Sequence, residues 1–343
     1  MWFKRLLYVL IGLVGLLALL YLIQPLKKGD TKPTSTYYEL VENWPQLPAN
    51  VKLGNPTGIG IDTNQHLVVF HRASQEWPLF GGLPNRFIPE KTILIIDPTS
   101  GKLLESWGSN LFVMPHGLTV DHQNNIWVTD VGLHQVFKFT HNGKLLMKLG
   151  KAAISGSDSV HFDKPTDVAV AQNGSFFVSD GYGNSRVIKF SPSGKYLFEW
   201  GIKGTKTGAF HIPHGLALDA QNQVYVADRE NNRIQVFDST GRFLKQITDE
   251  GFGSVCSVAF DKNRKKLFAI DDLSFLKIKH RGSNVFVFDT SGKIETRFGR
   301  SSNQPAGWYH DLAVDNQENS YVGDILNNRV LKFRRITSPN SVP

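Results

Sequence analysis

The chain is predicted to be all-β, a six-bladed β-propeller preceded by one N-terminal transmembrane helix. Three observations carry this prediction. A segment of about fifty residues recurs along the body. Within each copy apolar residues alternate with polar ones, the period of strands with one buried face. One long uncharged apolar run is confined to the first thirty residues.

That run comes first. Between Arg5 and Lys27 no residue is charged, and the stretch 6–23 is long enough to cross a bilayer as a helix. QPLKKGD follows without the small-residue pattern of a cleavage site, so residues 1–28 read as an uncleaved signal anchor. The flanking charges, Lys4 and Arg5 against Lys27 and Lys28, nearly balance. A single anchor ahead of one large domain usually exports it. The propeller is therefore expected to be extracytoplasmic, in periplasm or extracellular space. Residues 29–48, with Lys, Pro, Thr and Ser, read as a tether. Residues 49–335 are assigned to the propeller and 336–343 to a tail.

Composition narrows the class. The net charge is +8, yet the body has no dense Lys/Arg tract, so nucleic acid is not an expected partner. One cysteine, Cys256, excludes a disulfide within the chain. A closed propeller has little free strand edge, and a monomer is expected.

The repeats then align. NPTGIGID, MPHGLTVD, KPTDVAVA, IPHGLALD, SVCSVAFD and WYHDLAVD each open a unit. A polar turn, a second strand ending in Asp (His-Arg in the first copy) and further strands such as RIQVF follow. Equivalent positions are Thr57, His116, Thr166, His214, Cys256 and His310, between 42 and 59 residues apart. Four strands per unit make a blade. The first blade is expected to be closed by the segment before Asn55 or by the C-terminal strand.

Histidine occupies this position in blades two, four and six only. Alternate blades of a six-fold ring stand 120° apart, so residues opening the innermost strands would converge on the axis. Three imidazoles with an open position are the ligand set of a catalytic zinc. A histidine repeated by descent alone would not alternate. His66, His134 and His211 lack this symmetry and are read as structural.

The blades resemble NHL repeats, and longer runs point further. LVVFHR, TILIIDP, NLFVMPHGLTVD, WVTDVGLHQVFK, FVSDGYGNSR, FSPSGK and VADRENNRIQVF resemble the peptidyl-α-hydroxyglycine α-amidating lyase family, which includes the lyase domain of peptidylglycine α-amidating monooxygenase. The resemblance spans roughly residues 56–333. It implies a zinc-dependent lyase that cleaves the N–C bond of a peptidyl- or acyl-α-hydroxyglycine to an amide and glyoxylate. By it, His116, His214 and His310 hold zinc, Tyr182 is the catalytic tyrosine, and Arg72 and Arg229 are active-site arginines. A structural calcium is implied at the Asp311 carboxylate and the main-chain carbonyls of Ile59 and Leu118, a hard-oxygen set suited to that ion. The implied substrate is a peptide or small-molecule carbinolamide. Tyr182 serves as base if neighbouring cations depress its pKa.

The chain departs from the family in places. Two disulfides of vertebrate members map to Asp163 with Gly183 and to Tyr225 with Val236, so both members of each pair are replaced. Trp308 and Tyr309 stand where the family has Met-Pro. No copper monooxygenase segment is recognisable, so the chain is expected either to take its hydroxylated substrate from another enzyme or to act on a related small carbinolamide. Two other functions compete. A non-enzymatic NHL propeller would bind a protein or glycan at its rim and would not need the three histidines. A calcium-dependent propeller lactonase would place carboxylate and Asn ligands on the axis instead.

Overall fold

A computed structural model describes residues 36–78, 82–261, 263–275, 279–280, 282–299 and 305–337. The membrane helix expected over residues 1–28 lies outside the described residues. Among those described, no helix is long and apolar enough to cross a membrane.

Six four-stranded antiparallel sheets make six blades. Their first strands are Pro56–Ile61, Pro115–Val120, Asp167–Val170, Pro213–Leu218, Ser254–Asp261 and Tyr309–Val314. Each of these touches the first strand of the blades before and after it, so the six form a closed inner ring. The second strands are buried, Ile126–Asp130 and Val224–Asp228 at every residue, because each blade is covered on both faces by its neighbours. The fourth strands face water, and Tyr196–Trp200 alternates between half-buried and exposed. The core lies between blades: Phe112, Phe137 and Phe139 fill the space between blades one and two, and Phe252, Phe286 and Phe288 that between four and five.

Closure corrects one expectation. Thr36–Leu40, placed in the tether, is a propeller strand, and it completes blade six rather than blade one. It pairs antiparallel with Arg329–Thr337, Tyr38 opposite Arg335. The outer edge of the last blade is thus supplied from before the first blade, which ties the two ends of the ring together. Tyr38 stacks on Phe298 with centroids 4.0 Å apart and meets Phe268 edge-on.

The Asp that ends most second strands caps loop amides. Asp130 accepts from the backbone N–H of Val113, Met114, Gly132 and Leu133. Asp180, Asp228, Asp271 and Asp324 do the same in their blades. One carboxylate satisfies several amides that the loops would otherwise bury unpaired.

Because Tyr38 packs the closing strand of blade six on Phe268 and Phe298 of blade five, Tyr38→Ala is expected to destabilise the fold by about 2–4 kcal/mol. Denaturant unfolding would show it. Tyr38→Phe, which keeps the stack, is expected to stay within about 1 kcal/mol of the parent.

Candidate active site

The three histidines open the inner strands of alternate blades and meet on the axis. All three are buried. Their ring centroids are 4.6–4.9 Å apart, and one nitrogen of each lies within 4.8 Å of the others. The neighbouring blades supply what orients them. His116 Nδ1 bonds the Thr166 carbonyl at 2.7 Å, His214 Nδ1 that of Cys256 at 2.7 Å, and His310 Nδ1 that of Thr57 at 2.8 Å. A carbonyl only accepts, so each Nδ1 carries the proton and each Nε2 keeps its lone pair. Gly117 and Gly215, following two of the histidines, permit this approach. A Cβ on Gly117 would lie 2.4 Å from the Thr166 oxygen, and one on Gly215 2.7 Å from Ser257 Cα.

Electrostatics keep the imidazoles neutral. Burial, then the other imidazoles and the arginines, push His116 and His214 well below the ordinary histidine value. Burial followed by Arg72 and Arg229 takes His310 down to about 3. Neutral imidazoles with converging Nε2 atoms and carbonyl-anchored Nδ1–H groups fit zinc.

Tyr182 and both arginines adjoin the triad. The Tyr182 hydroxyl is 3.1 Å from Nε2 of His116 and 3.1 Å from Nε2 of His214. Arg229 Nη1 donates to that hydroxyl at 3.3 Å, and Arg229 Nε lies 3.5 Å from Glu230. Arg72 is buried, donates from Nε to the Pro115 carbonyl at 3.0 Å and stacks on Trp77. Among the described residues it has no carboxylate in an ion pair, and burial pushes its pKa down to about 10. The expected depression of Tyr182 is not reached in the protein alone. Burial raises its phenol, and Arg229 and Arg72 only oppose this.

Beneath the histidines the axis turns acidic. Asp311 lies there with Oδ2 accepting from Ile59 N–H at 2.7 Å and Oδ1 from Ser257 Oγ at 2.6 Å. Ile59 and Leu118 line the same cavity of about 240 Å³. So does Asp167, a residue that sequence reasoning missed. Asp167 accepts from Leu216 N–H at 2.8 Å, and burial and then Asp311 raise its pKa well above the usual range. Burial raises Asp311 to about 7. Two buried carboxyl groups facing one cavity on the axis fit a hard cation such as calcium. The signal was present in the repeats: of the residues after the aligned position, Gly58, Gly117, Asp167, Gly215, Ser257 and Asp311, two are acidic.

The positions that match the missing bridges are neighbours in space. Gly183 N–H bonds the Asp163 carbonyl at 2.9 Å, and Tyr225 pairs with Val236 across two strands. Tyr182 is held instead by hydrogen bonds: Asn184 and Arg186 both bond Asp180, and Asn184 also bonds the Gly156 carbonyl. Trp308, in the place of the family's methionine, lies 5.9 Å from the Arg229 guanidinium. Tyr309 is buried and bonds the Gly299 carbonyl.

His71, next to Arg72, stands where other blades have the capping Asp. Its Nδ1 accepts from Gly54 and Ala73 N–H at 3.2 and 3.1 Å. Burial lowers its pKa to about 4. A folded value below the unfolded one means stability is complete above pH 6.5 and is lost as pH falls toward 4. This site is expected to cost roughly 3 kcal/mol over that window. In His71→Asn that loss should vanish from the pH dependence of chemical unfolding.

Comparison with known proteins agrees with this architecture. The NHL repeat family matches residues 112–139, 162–190 and 210–237. Peptidyl-glycine alpha-amidating monooxygenase A of Xenopus laevis is 39% identical over 85% of this chain, which spans only 32% of that protein. Peptidyl-alpha-hydroxyglycine alpha-amidating lyase 1 of Drosophila melanogaster is 35% identical over 93% of the chain and 64% of its own length. The Caenorhabditis elegans protein named "Probable peptidyl-alpha-hydroxyglycine alpha-amidating lyase pgal-1" is 33% identical over 82% of this chain and 83% of its own length. Among solved structures, a gluconolactonase of Xanthomonas campestris aligns at TM-score 0.59 and 13% identity, covering 92% of this chain and 99% of its own. Virginiamycin B lyase of Staphylococcus aureus aligns at 0.54 and 15%, covering 90% and 86%. These two show the fold alone. At this identity and coverage, with the repeats in register with the blades, the chain belongs to the peptidyl-α-hydroxyglycine α-amidating lyase family.

Proposed function

We propose that this protein is a zinc-dependent carbon–nitrogen lyase that cleaves a peptidyl- or acyl-α-hydroxyglycine into an amide and glyoxylate. One observation carries the reading: three converging Nε2 atoms with a tyrosine hydroxyl on two of them and a buried, carboxylate-free Arg72 beside them. His116, His214 and His310 would hold zinc, which supplies Lewis acidity toward the substrate's hydroxyl oxygen.

The remaining work falls to the chain. Arg72 is free to take the substrate carboxylate, because Arg229 is already engaged with Tyr182 and Glu230. Arg229 and Arg72 oppose the rise that burial imposes on Tyr182, and a zinc held by the adjacent histidines would add the positive charge that favours its phenolate. The phenolate takes the proton of the substrate hydroxyl. The O–H electron pair forms the carbonyl of glyoxylate, the C–N bond breaks, and its pair stays on nitrogen. Tyr182 returns the proton to that nitrogen, giving the amide. Nothing is oxidised or reduced. Asp311, with Asp167 and the carbonyls of Ile59 and Leu118, would hold a structural calcium below the triad.

The apolar run 6–23 supports membrane anchoring with the propeller outside the cytoplasm, and the closed ring supports a monomer. The activity is proposed for the lyase step alone.

The test uses the full-length chain in detergent with α-hydroxyhippurate. Glyoxylate release is expected, with loss under a strong zinc chelator and recovery on adding zinc. Tyr182→Phe should lower kcat by about 100-fold or more. His214→Ala should remove the zinc as read by elemental analysis. Folded, zinc-loaded protein that releases no glyoxylate would refute the reading. Arg72→Ala should raise KM for the same substrate by about tenfold or more, with a smaller change in kcat.

A further inference from the structure

The connection between the second and third strands differs sharply from blade to blade. In blades two, three, four and six it covers 131–134, 181–185, 229–232 and 325–328. In blade one it covers 72–92, of which 79–81 lie outside the described residues. Long connections in a compact domain tend to serve function. This one is anchored at both ends. Gln75 N–H bonds the Arg72 carbonyl, Arg86 Nε donates to Gln75 Oε1, and Ile88 is buried with its N–H on the Phe112 carbonyl.

From the anchored N-terminal part Trp77 projects to the active site. Its ring lies 5.4 Å from that of Tyr182, which belongs to blade three, and the Arg72 guanidinium stands 5.1 Å from the indole centroid. The loop of blade one therefore passes blade two to reach the tyrosine beside the histidines. Trp77 is nevertheless 39% exposed, which is unusual for a tryptophan with two such contacts. An indole that covers part of the active-site tyrosine and leaves the rest of its surface to solvent offers an apolar wall at the mouth of the site.

We propose that Trp77 is a specificity-determining residue, forming the subsite for the acyl group and selecting substrates with a planar aromatic group next to the hydroxyglycine. The proposal rests on the lyase reading and deepens it. The argument is one of partition. The guanidinium of Arg72 takes the carboxylate, and Tyr182 serves the hydroxyl and the nitrogen. The acyl group leaves that nitrogen on the remaining side, where the indole adjoins both residues. An aromatic ring can stack there; a methyl group cannot.

The experiment compares α-hydroxyhippurate with N-acetyl-α-hydroxyglycine on the full-length chain. The parent is expected to favour the benzoyl substrate in kcat/KM by about tenfold or more. Trp77→Ala should bring that ratio close to one, chiefly through KM, and Trp77→Phe should keep most of it. Equal loss on both substrates would mean that Trp77 only supports Tyr182 and Arg72, and would overturn the proposal. Calorimetry with hippurate and N-acetylglycine separates this from failure of the lyase reading. A preference for hippurate that disappears in Trp77→Ala sustains the subsite even without turnover. Equal affinity of the parent for both ligands overturns it.

Discussion

Three hydrogen bonds from imidazole Nδ1 to a backbone carbonyl of the next blade are the contacts on which the active site depends. Each couples a histidine of an even blade to the carbonyl of Thr57, Thr166 or Cys256 in an odd one. The odd blades, which lack histidine at the aligned position, thus contribute as much to the site as the even ones. The bond from His310 to Thr57 also joins the last blade to the first. It lies across the seam that the strand Thr36–Leu40 closes from outside. Ring closure and histidine orientation are therefore one constraint. The carbonyls can aim three Nε2 atoms at one point only if the inner ring is complete.

Along the axis the charges are ordered in layers. The histidine layer faces Arg72, Arg229 and Tyr182, a cationic end suited to an anionic substrate. One residue further along the inner strands stand Asp167 and Asp311, in the layer that Gly117, Gly215 and Ser257 share. The inner strands place consecutive residues at successive depths, so a single step in sequence separates a soft nitrogen site from a hard oxygen site. Burial, and after it the neighbouring imidazoles and arginines, lower the histidines, and burial raises the carboxyl groups.

The replaced disulfides illustrate a second route to rigidity. The turn that carries Tyr182 is fixed by Asp180, which bonds Asn184 and Arg186 and accepts from the N–H of Asp163. This is the cap that ends the second strand in other blades, so the catalytic turn uses the general device of the fold. A Cβ on Gly183 would overlap the Asp163 carboxylate, so a side chain at 183 would require Asp163 to turn away. Blade one shows the same device with other chemistry, since the neutral imidazole of His71 replaces the carboxylate as acceptor.

Much was legible in the linear chain because propeller blades repeat. Alternation marks strands, the recurring turn marks blades, and histidine in every second copy marks a three-fold site, since equal positions in equal blades share height and radius. His116, His214, His310, Tyr182, Arg72 and Arg229 could all be named from such patterns and from resemblance. Other features had no linear signature. The carbonyls of Thr57, Thr166 and Cys256 act through backbone, which every residue possesses. Strand Thr36–Leu40 stands apart from the repeating units, so nothing in its own five residues assigns it to a blade until its partner, Arg329–Thr337, is present. Trp77 sits in a segment with no counterpart in other blades, so no repeat could place it on Tyr182. The sequence by itself determined the blade, its number and the residue types on the axis, because these follow from local periodicity. Closure, imidazole orientation and the wall of the pocket were decided only by tertiary structure, because each joins residues that the chain holds far apart.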